Sequence, residues 1–208
     1  KEFFMKPELL ATAGDMEAGY AAFSYGADAV YLGLNRFPAR AEAVNFTRDE
    51  LDALTAYAHS LNKKVYVALN TLVQEAELPA VLTALQECAD CCVDAVIVQD
   101  MGIARIVRQH FPSLQLHAST QMAIHNLEGA LTLKKWGFSR VVLARELTLR
   151  EIEAIRDASG LEVEVFIHGA LCYSYSGLCQ FSSLETTRSA NRGKCVYACR
   201  NVFRTQDG

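Results

Sequence analysis

No run of about 18 consecutive apolar residues occurs in these 208 residues, which leaves no candidate for a membrane-spanning helix. The N-terminal KEFFMKPELL lacks the long apolar stretch of a secretory signal, so the expected location is the cytoplasm. Neither GxGxxG nor GxxxxGK(S/T) is present, which removes the main support for a Rossmann or P-loop nucleotide site. GxSxG, HExxH and a Ser-His-Asp order are missing too, so no motif supports hydrolysis by a standard nucleophile or a protease zinc site. An excess of positive charge is also lacking. With 20 Lys and Arg against 24 Asp and Glu, the net charge of −4 argues against non-specific coating of nucleic acid. Seven cysteines, an odd number without a secretion signal, point to free thiols or metal ligands rather than a disulfide framework.

What is present suits one well-packed globular unit, 51% hydrophobic and 21% charged. Short apolar, often β-branched runs alternate with amphipathic segments along the chain. The runs predict seven strands: Glu8–Ala13, Asp28–Leu34, Lys64–Asn70, Ala95–Asp100, Gln115–Thr120, Arg140–Glu146 and Glu162–His168. Helical patterns fill the gaps. Thr47 with Glu50, and Thr148 with Glu151, have the spacing of capping boxes that open helices over Thr47–Ser60 and Thr148–Ala158. This alternation predicts a parallel sheet, either doubly wound or a (β/α)8 barrel.

Polar residues at the strand ends favour the barrel. Asn70, Gln99 and Asp100, His117 and Ser119 to Gln121, Arg145 and Glu146, and His168 each close an apolar run. In a barrel these ends converge on one mouth, where the active sites of such enzymes lie. The expected fold class is therefore α/β, TIM-barrel-like and incomplete, with about seven βα units and a C-terminal four-cysteine segment. The barrel is expected over residues 5–170 and the cysteine segment over 171–208, the latter opening a C-terminal region that continues elsewhere. An eighth βα unit, or a partner chain, would cover the edges of the first and last strands.

Cys172, Cys179, Cys195 and Cys199 stand in HGALCYSYSGLCQFSS and ANRGKCVYACR, separated by six, fifteen and three residues. Four thiolates complete one coordination sphere, for an iron-sulfur cluster or for zinc. Structural zinc usually takes its cysteines in close pairs, and only Cys195 and Cys199 are so spaced, which leans the set toward a 4Fe-4S cluster. Gly169, Gly177 and Gly193 lie beside these cysteines, where a tightly bending backbone needs permissive dihedrals. From Glu185 to Arg204 five cations face one acid; they either balance a thiolate cluster or contact RNA phosphate. Cys88, Cys91 and Cys92 read as packing residues of a helix that lacks a fourth ligand.

The candidate substrate-handling residues are His117, Gln121, Arg145, Glu146 and His168. Ser119, His125 and Asn126 belong to the same polar floor. Arg145 suits an anion, and Glu146 could orient a proton. The loop after the second strand offers Asn35, Arg36, Arg40 and Asn45, whose arginines could hold a carboxylate or phosphate or could simply be solvated.

The stretches PELLATAGDMEAGYAAFSYGADAVYLGLNRFPAR, VQDMGI, LHASTQMAIHN, RVVLARELTLREI, EVFIHGALCYSYSGLCQFSS and ANRGKCVYACR resemble the collagenase-like peptidases, peptidase family U thirty-two. The resemblance implies a 4Fe-4S cluster on the four C-terminal cysteines. It also implies oxygen-independent hydroxylation of a pyrimidine base in ribosomal or transfer RNA, closest to the branch forming 5-hydroxycytidine, with a small carboxylate such as prephenate involved. Peptidase activity, and a role as a cluster-bearing subunit that works with a partner, are the alternatives the resemblance leaves open.

Overall fold

The computed structural model describes residues 6–35, 45–169 and 172–204. In order, its main elements are β1 (Leu10–Thr12), α1 (Met16–Ser24), β2 (Ala29–Leu32), α2 (Arg48–Ser60), β3 (Lys64–Leu69), α3 (Leu78–Asp90) and β4 (Ala95–Val98). There follow α4 (Met101–His110), β5 (Gln115–Ala118), α5 (Leu127–Lys135), β6 (Arg140–Val142), α6 (Leu149–Ser159), β7 (Glu162–Glu164) and the short α7 (Phe181–Glu185). All seven predicted strands form, and they pair in parallel in sequence order. An order that never reverses has no topological switch point. The sheet is thus the curled wall of an incomplete TIM-barrel-like fold, not a doubly wound sheet.

The strands are shorter than their apolar runs. β6 stops at Val142 and β7 at Glu164, because the ladder between them ends with the Val142–Glu164 pair. The residues beyond, among them Arg145 and His168, are thereby released into connections at the C-terminal mouth. Both predicted capping boxes are present. Thr47 and Thr148 each accept from the backbone three residues on, while Glu50 and Glu151 reach back to the cap N–H. Each cap contributes about 1 kcal/mol.

Alternation along the strands divides the side chains between two layers. Val30, Leu32, Val65, Val67, Val96, Val98 and Leu116 face the helices, where Leu51, Leu54, Leu85, Ile103, Val107 and Ile155 cover them. Fully burying such side chains contributes about 1.5–3 kcal/mol each, so this outer layer dominates stability. Cys88 and Cys91 lie buried in it, as the packing reading expects, and burial pushes both thiols up. Cys92 is exposed.

The inner layer is small and polar. Ala29, Tyr66, Ala95 and Ile97 form its apolar part, beside His117 and Arg140. Arg140 sits over the Tyr66 ring and binds Glu162 at 2.6 Å, Glu8 at 2.7 Å and Glu164 at 3.4 Å. Burial, the largest influence on Glu8, would raise its pKa, but hydrogen bonds from Arg140, Lys64 and Tyr66 overcome it and hold the carboxyl at about 2. These groups fill the end of the wall opposite the mouth.

Candidate functional site

The strand-end residues divide by what they touch. Asp100 caps α4 by accepting from Gly102 and Ile103 and also accepts from Val73, so it shapes the mouth rather than lining it. Asn126 caps α5, and Ser119 accepts from the Gln121 N–H at the start of the turn Thr120–Met122. His117 is not on the rim. It stands in one row of the sheet with Ile97 and Arg140, 1% exposed, with its ring edge-on to Tyr66 at 4.7 Å. Burial, reinforced by the Arg140 charge, lowers its pKa to about 3, so the ring is neutral. The sequence reading sets His117 among the strand-end residues of the rim, and the pairing of the strands puts it below them. His168 lies exposed beyond β7, and Arg36 and Arg40 fall outside the described residues.

Gln121, Arg145 and Glu146 do come together, under the cysteine segment. Glu146 accepts from the Ser176 hydroxyl, from the Ser176 N–H at 2.8 Å and from His125 Nε2 at 3.2 Å. Desolvation alone would raise its pKa, yet the Ser176 bonds, backed by His125, bring it to about 2. At neutral pH Glu146 is therefore an ionised acceptor that holds the segment, not a proton source. Arg145 donates from its N–H to Ser176 Oγ at 3.3 Å and from its guanidinium to the Ser174 carbonyl at 3.3 Å. The Gln121 side chain lies against Gly177, where an added Cβ would come within 3.0 Å of its Cγ.

The cysteine segment is anchored on the other side of the mouth as well. Leu72, just past β3, donates to the Asn191 carbonyl at 3.2 Å, and Arg192 pairs with Glu77 at 2.6 Å while also donating to Leu72 O. The segment thus lies across the C-terminal mouth from β3 to β6. All three glycines singled out in the sequence have positive φ, at 133°, 84° and 75° for Gly169, Gly177 and Gly193. Ser176 and Tyr197 hold the same left-handed conformation without being glycine, at φ 41° and 56°. The dipeptide Ser176-Gly177 marks a turn in the sequence, and Leu178 N–H donates to the Tyr175 carbonyl at 2.9 Å across it, but nothing in the sequence joins Ser176 to Glu146.

A pocket of about 300 Å³ opens between the segment and the rim, lined by Arg145, Glu146, Cys172, Tyr173, Ser174 and Tyr175. Tyr175 stacks on His125 at 4.6 Å, whereas Tyr173 is 92% exposed. Burial works against ionising Cys172, but the Ser174 hydroxyl at 3.0 Å, the Ser174 N–H and the Arg145 charge lower its pKa overall. Cys179 Sγ accepts from the Phe181 N–H and Cys195 Sγ from the Tyr197 N–H, each at 3.4 Å. Each of these two sulfurs thus has one backbone donor of its own. Among the described residues, no three His, Cys, Asp or Glu side chains stand close enough together to hold a metal ion.

A serine, a glutamate and a histidine meet here, but not as a hydrolytic triad. Glu146 sits between Ser176 and His125, and both His125 nitrogens face oxygens, Ala123 O at 2.6 Å and Glu146. No imidazole lone pair is directed at the serine hydroxyl, and a carboxylate with a pKa of about 2 is a poor base.

A parallel βα wall with its polar side chains and thiols gathered at the C-terminal mouth defines the class: a TIM-barrel-like α/β protein with a rim site. Within that class the chain belongs to Peptidase family U32, which it matches over residues 14–207. It is 44% identical to the 23S rRNA 5-hydroxycytidine synthase of Escherichia coli (strain K12), over 96% of this chain and 30% of that protein. It is 41% identical to tRNA hydroxylation protein P of the same organism, over 98% of this chain and 45% of the relative. The chain thus spans less than half the length of either curated relative. A solved U32 peptidase structure shares the fold, with a TM-score of 0.67 at 16% identity over 83% of this chain and 74% of that one. Among the described residues no helix is long and apolar enough to cross a membrane.

Proposed function

We propose that this chain is part of an iron-sulfur enzyme that hydroxylates a pyrimidine base of ribosomal or transfer RNA without molecular oxygen, giving a product of the 5-hydroxycytidine type. The observation that carries the reading is the cysteine segment lying across the barrel mouth, tied to Arg145 and Glu146 on one side and to Leu72 and Glu77 on the other. The names of the two curated relatives support the reaction class and the RNA substrate.

In this reading Cys172, Cys179, Cys195 and Cys199 hold a 4Fe-4S cluster, zinc being the alternative. Bound there, a cluster would supply electron transfer or a Lewis-acidic iron for the oxygen donor. Arg145, beside Cys172, presents its guanidinium to an anionic co-substrate, a carboxylate of the prephenate kind. Glu146 and Ser176 keep the segment seated over the mouth. Tyr173 offers an open ring face on which an unstacked base can lie. The barrel residues form one unit and the cysteine segment a second that completes the site, with further protein covering the edges of β1 and β7.

Peptide hydrolysis is the second reading, carried by the family's description. The order Ser176–Glu146–His125 counts against it. The deciding experiment is the nucleoside profile of RNA from a deletion strain, complemented with the full-length wild type and with Cys195→Ser. The modified nucleoside should vanish on deletion and return only with wild type; its persistence in the deletion strain sinks the assignment. Anaerobic reconstitution should give visible absorption with bound iron, whereas a colourless protein carrying stoichiometric zinc would overturn the cluster.

A further inference from the structure

Among the described residues, six buried side-chain polar atoms have no hydrogen-bond partner, and five of them belong to the barrel interior and its mouth. They are Asn70 Oδ1, Gln99 Oε1, His117 Nδ1, Gln121 Oε1 and Arg145 Nε; the sixth, on Thr55, lies in α2. Buried polar groups are normally paired, and each one left unpaired is a standing cost to the fold. Five such atoms along the inner face of the sheet and the connections at its mouth mark a place shaped for something other than the resting fold.

The sheet brings them together. Asn70 and Gln99 follow the paired residues Leu69 and Val98, so they are neighbours on the inner face. Gln99 donates its Nε2 to the Gln121 backbone carbonyl at 3.4 Å, which anchors the amide by its nitrogen and turns its oxygen away. Gln99 is 8% exposed and His117 1%, so both are held deep in the wall. Arg145 joins this set to the pocket beside Cys172, since it lines that pocket while its Nε is one of the five.

We propose that Asn70, Gln99 and Gln121 form a base-reading floor beneath the cysteine segment, which takes the exocyclic amine of a cytosine through amide oxygens while Arg145 donates to a base acceptor. The inference rests on the RNA-hydroxylation reading and deepens it by naming the residues that choose the base. Three amide oxygens call for a ligand rich in N–H donors. Cytosine offers two on its amine, which pair two of the three oxygens, and presents N3 and O2 as acceptors for the unpaired Arg145 Nε–H; uracil has a single N–H on that edge and two carbonyl oxygens that would face amide oxygens. The neutral His117 lies one row deeper, where its unpaired nitrogen continues the polar floor.

The test uses the full-length protein with stem-loop RNAs that carry one unpaired cytidine or, at the same place, uridine. Asn70→Leu removes an unpaired atom and should melt at or above the wild-type temperature, while Gln99→Met removes one unpaired atom and one long bond, from Nε2 to the Gln121 carbonyl, and should melt close to wild type. Each should bind the cytidine RNA at least tenfold more weakly and lose the preference for cytidine over uridine. A variant that melts lower yet keeps its preference, one that binds both RNAs as wild type does, or a wild type with no preference overturns the proposal. Hydroxylated nucleoside is measured in parallel for wild type, Gln99→Met and Cys195→Ser. If hydroxylation depends on Cys195 and not on Gln99, the base-reading floor falls alone. If no protein forms the nucleoside while the Gln99 effect on cytidine binding persists, the hydroxylation reading falls and the floor stands.

Discussion

Arg140 and Glu8 are 132 residues apart in the chain and 2.7 Å apart inside the sheet. Through this contact and those to Glu162 and Glu164, one guanidinium ties the segment before β1 to β7, the two ends of a wall whose edge strands do not pair with each other. Arg140→Ala leaves two carboxylates partly buried without their partner, and we expect a loss of about 3–5 kcal/mol in urea unfolding. Arg140→Met combined with Glu8→Gln should recover much of that. An Arg140→Ala protein within 1 kcal/mol of wild type would show that the clamp carries little stability.

Acid should loosen the fold through His117 before it does so through Glu8. The His117 pKa falls from 6.5 in the unfolded chain to about 3 in the folded one, so the unfolded state binds the extra proton first. Its contribution is complete above pH 6.5 and is lost progressively as pH falls toward 3. At pH 5 the loss is about 2 kcal/mol, from 1.36 kcal/mol per unit. Glu8, lowered from 4.5 to about 2, adds a second loss of the same sign below pH 4.5. Thermal melts between pH 7 and 5 should show the fall, and a His117→Phe protein should be nearly flat across that window.

Ser176→Ala removes the hydroxyl bond to Glu146 and the acceptor of the Arg145 N–H, and keeps the Ser176 backbone N–H bond to Glu146 at 2.8 Å. The expected cost is about 1–2 kcal/mol of local stability, with hydroxylated nucleoside within a few-fold of wild type. Complete loss of the modified nucleoside in a well-folded variant would make the hydroxyl a reacting group and not a tether.

Gly177→Ala meets two obstacles, a φ of 84° and a Cβ only 3.0 Å from Gln121 Cγ. The left-handed conformation alone costs about 1–2 kcal/mol. The variant should melt lower and be cut faster by trypsin after Arg188 or Lys194, since the seat of the cysteine segment is disturbed. Adding Gln121→Ala should restore the steric part and leave the conformational part, a split that equal melting of the single and double variants would rule out.

All seven strands were legible because each apolar run is long enough to stand out and is punctuated by a helix start. The Thr47 and Thr148 capping boxes formed as spaced, since capping is local. Strand lengths were overread at the C-terminal ends. Val142 and Glu164 end the ladder by geometry between neighbours, which no run in either strand reveals. The rim was legible as a set of residue types, but the separate duties of Asp100, Asn126 and Glu146 were not, because capping and tethering use the same side chains as catalysis. The charge clamp at Arg140 joins residues too far apart in the chain for any periodicity to connect them.

The cysteine segment is held over the mouth by polar contacts at both ends, and none of its residues belongs to the main hydrophobic cluster, whose buried members end at Leu161. Detaching it breaks a few hydrogen bonds and one partly exposed ion pair, and exposes none of the apolar layer between sheet and helices. Its backbone amides should therefore exchange with solvent through a local opening, while those of β3 and β4 wait for the whole domain to unfold. The cover can therefore leave the barrel floor with the wall beneath it intact.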